Sequence, residues 1–233
     1  MANRLASRVY RYAIRILRKT WMNSGYQGKK LTPLEQAVCE NGLRMIPGKT
    51  HDWVQYNRHI SRYKFFKELI ENDRQKKNIS ILDLGCGSGY GPALLSTIPG
   101  SDVVGIDISR QTVDYANKTH HARNLCFAAH DISDYVKTMP PYDYVVSSHA
   151  IEHIGNGTSL VGLIRFNNMC IIATPYNDAT GADKNHITKG ITEQSYKDIS
   201  HKVFYYDDYW GKIHTTKPDN IFFSIICLVR KEH

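Results

Sequence analysis

The chain has 233 residues, a formal net charge of +8, 42% apolar residues and five cysteines (Cys39, Cys86, Cys126, Cys170, Cys227) with no C-x-x-C spacing. That length suits one α/β domain with an extension. With no run of about 18 apolar residues, a transmembrane helix is not expected, and with no apolar N-terminal core neither is a secretory signal. The cysteines read as reduced core residues of a cytoplasmic protein, Cys126, Cys170 and Cys227 lying in predicted strands.

In chain order, charge comes first. No acid precedes Glu35, and Arg4, Arg8, Arg11, Arg15, Arg18, Lys19, Lys29 and Lys30 together equal the net +8. On a helix the five arginines form a single stripe, with Leu5, Val9, Tyr12, Ala13, Ile16 and Leu17 on the remaining face. A basic amphipathic helix fits an anionic membrane surface, and hence a peripheral attachment, or a nucleic acid; it equally fits a solvated face over a packed helix. Residues 23–30 read as a polar linker. Thr32-Pro33-Leu34-Glu35 supplies an N-cap, a first-turn proline and a capping-box glutamate, which predicts a helix from Pro33 to about residue 40, stopped by Asn41-Gly42. A further helix is predicted over residues 55–71, with Ile60, Tyr63, Phe66 and Ile70 at helical spacing. Residues 1–55 then form a basic helical extension and residues 56–233 the domain.

Residues 79–91 read I-S-I-L-D-L-G-C-G-S-G-Y-G. An apolar run ends in glycines and passes into a helical pattern, which is how open α/β sheets build nucleotide sites. Gly85, Gly87 and Gly89 allow a sharp turn and a close backbone approach. Asp83, inside the apolar strand, is costly unless paired, which marks it as a candidate for function. The dinucleotide fingerprint would place its third glycine at Tyr90, and there is no G-K-[ST], so a P-loop is excluded. Strand two, around Val103–Ile106, ends at Asp107, about twenty residues after the turn, where an acid can accept both hydroxyls of a ribose. Strand three covers residues 124–128 and is followed by Asp131 and Ile132, placed at an adenine edge. Strand four covers residues 142–148 and leads into His149-Ala150-Ile151-Glu152-His153. Strand five covers residues 169–173. After it come a helix at residues 192–198 and two long strands at residues 202–206 and 221–229.

With D-L-G-C-G-S-G at residues 83–89, V-G-I-D-I-S at 104–109, H-D-I at 130–132 and Y-D-Y-V-V with I-E-H-I through residue 154, the chain resembles the class I S-adenosylmethionine-dependent methyltransferases. It is most similar to the group that includes ubiquinone and menaquinone biosynthesis enzymes. The resemblance implies a Rossmann-like, seven-stranded, mostly parallel sheet with an antiparallel C-terminal hairpin, helices on both faces and an N-terminal helical lid. It also implies S-adenosylmethionine as cofactor, held by Asp83, Gly85, Cys86, Gly87, Gly89, Asp107, Ile108, Asp131, Ile132 and Ser148. A second resemblance, carried by Arg44-Met45-Ile46-Pro47-Gly48 and residues 59–65, is to the lead-in of methyltransferases from glycan assembly.

Removing a proton from a sugar-like hydroxyl is helped by a base or a metal. His149, Glu152 and His153 spell H-x-x-E-H and share a face if the stretch is one helical turn. With His186, they suit a divalent metal such as Mg or Mn. The pattern resembles the E-x-x-E-H plus distant histidine of metal-dependent small-RNA 2′-O-methyltransferases and ubiquinone O-methyltransferases, with His149 in place of the first acid. Three roles stay open: metal ligands, His153 assisted by Glu152 as a base without metal, or structural residues. The family's Pro-Gly-Gly turn before strand five is missing. Residues 177–190 read as a polar acceptor loop, with Tyr176, Asn177, Asp178, Asp183 and Asn185 able to bond a hydroxyl-rich substrate, or as a solvated surface loop. The first expectation is an O-methyltransferase of a small molecule or a sugar or glycan intermediate. The alternatives are an RNA 2′-O-methyltransferase, a methyltransferase of a quinone or lipid-like acceptor at a membrane, and a non-enzymatic partner subunit.

Overall fold

The computed structural model describes residues 31–39, 44–47, 49, 53–178, 185–199, 202–208, 211–219 and 223–231. The arginine stripe, the 23–30 linker, Asn41-Gly42, Gly48 and Asp183 lie outside the described residues.

The first helix, α1 (Pro33–Cys39), begins where its capping box predicts. The Thr32 amide donates to Glu35 Oε2 at 2.8 Å and the Glu35 amide donates to Thr32 Oγ1 at 3.3 Å, satisfying two end donors that would otherwise lack partners. Lys49 pairs with the other Glu35 oxygen. Val38, Ile46 and Tyr115 pack together, fixing this lead-in on the domain. The long helix α2 (Trp53–Asp73) buries Tyr63, Phe66 and Ile70, three of the four positions named by periodicity.

Then come β1 (Ile79–Leu84), α3 (Tyr90–Leu95), β2 (Ser101–Asp107), α4 (Arg110–Thr119), β3 (Leu125–Ala129), α5 (Ile132–Thr138) and β4 (Tyr142–Ser148). A 3₁₀ turn at Ile151–His153 and a one-turn helix, α6 (Gly157–Leu160), lead to β5 (Phe166–Pro175), followed by β6 (Lys202–Asp207), β7 (Lys212–His214) and β8 (Phe223–Arg230). The sheet order is β3-β2-β1-β4-β5-β8-β6-β7, parallel from β3 to β5 and antiparallel beyond. Side chains alternate between two cores. Ile81, Val103, Tyr144, Val146, Ile171 and Ile226 face the α2 side, while Leu82, Val145, Cys170, Ile172, Ile225 and Cys227 face the α5 side. Both faces are covered, and each such side chain contributes about 1.5–3 kcal/mol of burial. The strand order reverses between β1 and β4, so the crevice for a ligand opens at their C-terminal ends.

Three expectations need correction. The sheet has eight strands rather than seven. After β6 the Gly211 amide donates to the Asp207 carbonyl at 2.9 Å with Gly211 at φ +68°, and this turn folds Lys212–His214 back as an edge strand. The helix expected at residues 192–198 is a single 3₁₀ turn, Glu193–Tyr196, because Thr192 and Ser195 cap each other and Tyr196 is drawn into the core. Cys126 is exposed on β3, the outermost strand of the sheet order, whereas Cys170 and Cys227 are buried. Among the described residues no helix is long and apolar enough to cross a membrane.

Candidate active site

Where β1 ends, the chain turns through Gly85 (φ +79°) and Gly87 (φ +54°), and the Gly85 and Cys86 amides both donate to the Ile106 carbonyl of β2. A Cβ on Gly85 would lie 2.3 Å from that of Ala150, whereas one on Gly87 would meet nothing within 4 Å. One glycine permits packing; the other keeps open the space in front of the loop. The Gly87 amide donates to Asp107 Oδ2 at 3.1 Å and the Ser109 amide to Oδ1 at 2.9 Å, so backbone groups aim this carboxylate. Arg44 reaches the same carboxylate, with Nη2 2.7 Å from Oδ1.

A cavity of about 590 Å³ opens in front of the loop, within the range of small-molecule sites. At one end Gly85, Cys86, Gly87, Asp107, Ile108, Asp131 and Ile132 form its wall, and Ser148 lies at the β4 tip. Asp131 also caps α5, accepting the Ser133 amide at 2.6 Å. Two residues named with this group stand behind the wall instead. Gly89 caps α3, and a Cβ there would run into Ala116, His120 and Phe127 at 2.8–2.9 Å, so its role is packing. Asp83 is fully buried and accepts the Tyr63 hydroxyl at 2.8 Å. Burial pushes its carboxyl up to about 7, against the lowering effect of that bond.

At the other end lie His149, Glu152, His153 and His186. The expected single helical turn does not form. His149 is left-handed (φ 55°) and only Ile151–His153 is helical, as 3₁₀. Potential ligand atoms of Glu152, His153 and His186 lie within 4.8 Å of one another, without His149. His153 Nδ1 donates to the Asn185 carbonyl at 3.1 Å, and His186 Nδ1 donates to Asp178 at 2.5 Å. Such outer partners orient each ring and turn its Nε2 away from them. The loop is tied to the turn by the Ile187 and Thr188 amides on the Glu152 carbonyl (2.9 and 3.0 Å) and by the Thr188 hydroxyl on the Ile154 carbonyl (2.6 Å).

His149 belongs to another network. The Ser224 hydroxyl donates to Asp208 at 2.8 Å, so it accepts from His149 Nε2, also at 2.8 Å. Arg62, fully buried, donates to Asp208 at 2.8 Å and Ser148 Oγ at 3.3 Å. Burial first, then Arg62 and His59, hold His149 well below the ordinary histidine range, so the ring is neutral.

The sequence reading assigned no site role to His59, Arg62, Tyr63 or Tyr90. His59 and Tyr63 line the cavity roof and Tyr90 donates to His59 Nδ1 at 3.0 Å. An available signal was the spacing of His59, Arg62 and Tyr63, which sets a cation and two polar rings on one helix face.

A family model described as "Methyltransferase domain" matches residues 81–164. The ubiquinone biosynthesis O-methyltransferase of Pelagibacter ubique is 26% identical over 132 residues, 51% of this chain and 54% of that protein. The chain spans about half or less of the curated relatives it matches. Among solved structures, the magnesium protoporphyrin IX methyltransferase of Synechocystis with bound SAH superposes with a TM-score of 0.57 at 14% identity, over 85% of this chain and 93% of that one. The N-terminal domain of EvdMO1, in the presence of SAH and D-fucose, superposes with a TM-score of 0.57 at 13% identity, over 94% and 97%. These likenesses are of fold.

Proposed function

We propose that this chain, which carries a class I S-adenosylmethionine-dependent methyltransferase domain, methylates a hydroxyl of a small molecule or of a sugar or glycan intermediate. The carrying observation is one cavity with Asp107 and the glycine loop at one end and Glu152, His153 and His186 at the other. S-adenosylmethionine is the cofactor and supplies an activated methyl group on its sulfonium. The chain then has to orient the acceptor, exclude water and take the hydroxyl proton. Gly87, Asp107, Ile108, Asp131 and Ile132 hold the nucleoside in this reading. His153 Nε2 receives the proton from the attacking oxygen, and its Nδ1 bond to Asn185 keeps the ring in the accepting tautomer.

The donor set also fits a metal ion. One carboxylate and two anchored imidazoles suit a first-row divalent ion better than Mg²⁺. Glu152, His153 and His186 would hold it, and it would supply Lewis acidity toward the acceptor oxygen. His149 is not part of that set. The likeness to an O-methyltransferase over half the chain, and to a domain crystallised in the presence of D-fucose, supports a hydroxyl acceptor.

The test is a screen of sugars, nucleotide-sugars, quinols, amines and short RNA with methyl-labelled cofactor, with and without chelator. Label on a sugar-type oxygen supports the proposal. Label found only on nitrogen overturns it, and chelator-sensitive label on RNA 2′-oxygens would move the acceptor to nucleic acid.

A further inference from the structure

Asp107 carries the ribose reading, yet its carboxylate is already occupied. Oδ1 accepts from Arg44 Nη2 at 2.7 Å, from Arg44 Nε at 3.2 Å and from the Ser109 amide at 2.9 Å. Oδ2 accepts from the Gly87 amide at 3.1 Å and lies 3.4 Å from Arg44 Nε. A carboxylate offers about four lone-pair sites, and a ribose diol needs two of them. The Gly87 and Ser109 amides belong to the turns that shape the site and cannot leave without undoing them. Arg44 is a side chain with 17% exposure, projecting from the lead-in segment over the cavity. That segment is tied down on both sides of it. The Ser88 hydroxyl donates to the Met45 carbonyl, Ile46 packs with Val38 and Tyr115, and Lys49 pairs with Glu35. The movable piece is therefore the guanidinium, not the segment.

We propose that Arg44 is a latch on the cofactor site. Its guanidinium competes with the ribose hydroxyls for Asp107, and cofactor entry requires it to swing away while the lead-in stays docked. The proposal rests on Asp107 being the ribose ligand. Because the open form is only a fraction of the unliganded protein, apparent affinity is lowered by that fraction. Net charge complementarity alone would predict no such penalty, since S-adenosylhomocysteine carries no net charge.

The experiment is calorimetric titration of S-adenosylhomocysteine into the full chain and into Arg44→Ala, Arg44→Met, Asp107→Asn and the Arg44→Ala/Asp107→Asn double variant. Arg44→Met keeps the aliphatic stem over the segment if the alanine variant folds poorly. Both Arg44 variants should bind several-fold to about tenfold tighter than the parent. Asp107→Asn should bind at least about tenfold more weakly. In the double variant the gain from Arg44→Ala should vanish, because the competition is for Asp107. Unchanged or weaker binding in both Arg44 variants, with loss in Asp107→Asn, overturns the latch and leaves the ribose reading standing. Unchanged binding in Asp107→Asn removes the ribose reading, and the latch falls with it.

Discussion

The two ends of the cavity are built by different means. At the glycine-loop end the groups facing a ligand are backbone, or side chains aimed by backbone: Gly87 leaves the space, and the Gly87 and Ser109 amides hold Asp107. At the other end they are side chains from two segments more than thirty residues apart, His153 and the Asn185–Thr188 loop, joined by bonds to carbonyls. The first construction tolerates most changes of side chain except at its glycines and at Asp107. The second can exchange its chemistry residue by residue while the sheet beneath stays the same. A fold that keeps one cofactor and varies its acceptor is served by that division.

The largest effect is expected from His153→Ala. Turnover should fall by roughly 10²–10⁴ with cofactor affinity unchanged, measured by single-turnover transfer and calorimetry on the same preparation. Loss of cofactor affinity in step with turnover would mean the two ends are not separable.

A smaller effect is expected from Asp83, which backs the loop. Its folded pKa of about 7 lies above the ordinary 3.8. Between those values the folded state holds a proton that the unfolded state has lost. The contribution of this one group to stability is therefore fullest below about pH 4, declines as pH rises, and levels off above about pH 7, with a loss of a few kcal/mol at most. Asp83→Asn retains an acceptor for Tyr63 and should flatten that decline in urea unfolding at pH 5, 6, 7 and 8. An identical slope in the variant would assign the pH dependence elsewhere.

The smallest is Gly87→Val. The side chain has room but fills the ligand's space, so cofactor affinity should drop by about tenfold or more, while unfolding free energy falls only by the ~1–2 kcal/mol of a left-handed L-residue. A large drop in stability with affinity retained would place the loop in packing, as at Gly85.

The same division explains what could be read from sequence. Gly85, Gly87 and Asp107 lie within about twenty residues and are coupled by β1–β2 register, so local spacing announces them. The ligand set at the far end depends on which way His149 turns, and a left-handed residue before a 3₁₀ turn has no hydrophobic period to betray it. Arg44 and Asp107 are 63 positions apart, and the motif holding Arg44 was legible only as a resemblance. The additional strand, β7, hangs on a glycine turn followed by three residues, too short for alternation to register.

One feature of the topology bears on how the molecule is made. Among the described residues β8 follows every other strand yet sits between β5 and β6, and β6–β7 joins the sheet only through it. The β6–β7 hairpin precedes in the chain the strand that will hold it, and it joins the sheet only once β8 docks. Until then Phe204, Tyr205 and Tyr206 have no ladder partner on that side, and the β5 edge is open to strands from other chains. An intermediate with β8 undocked therefore leaves the β5 edge and the β6–β7 hairpin unpaired together, and should aggregate rather than persist as a smaller stable unit.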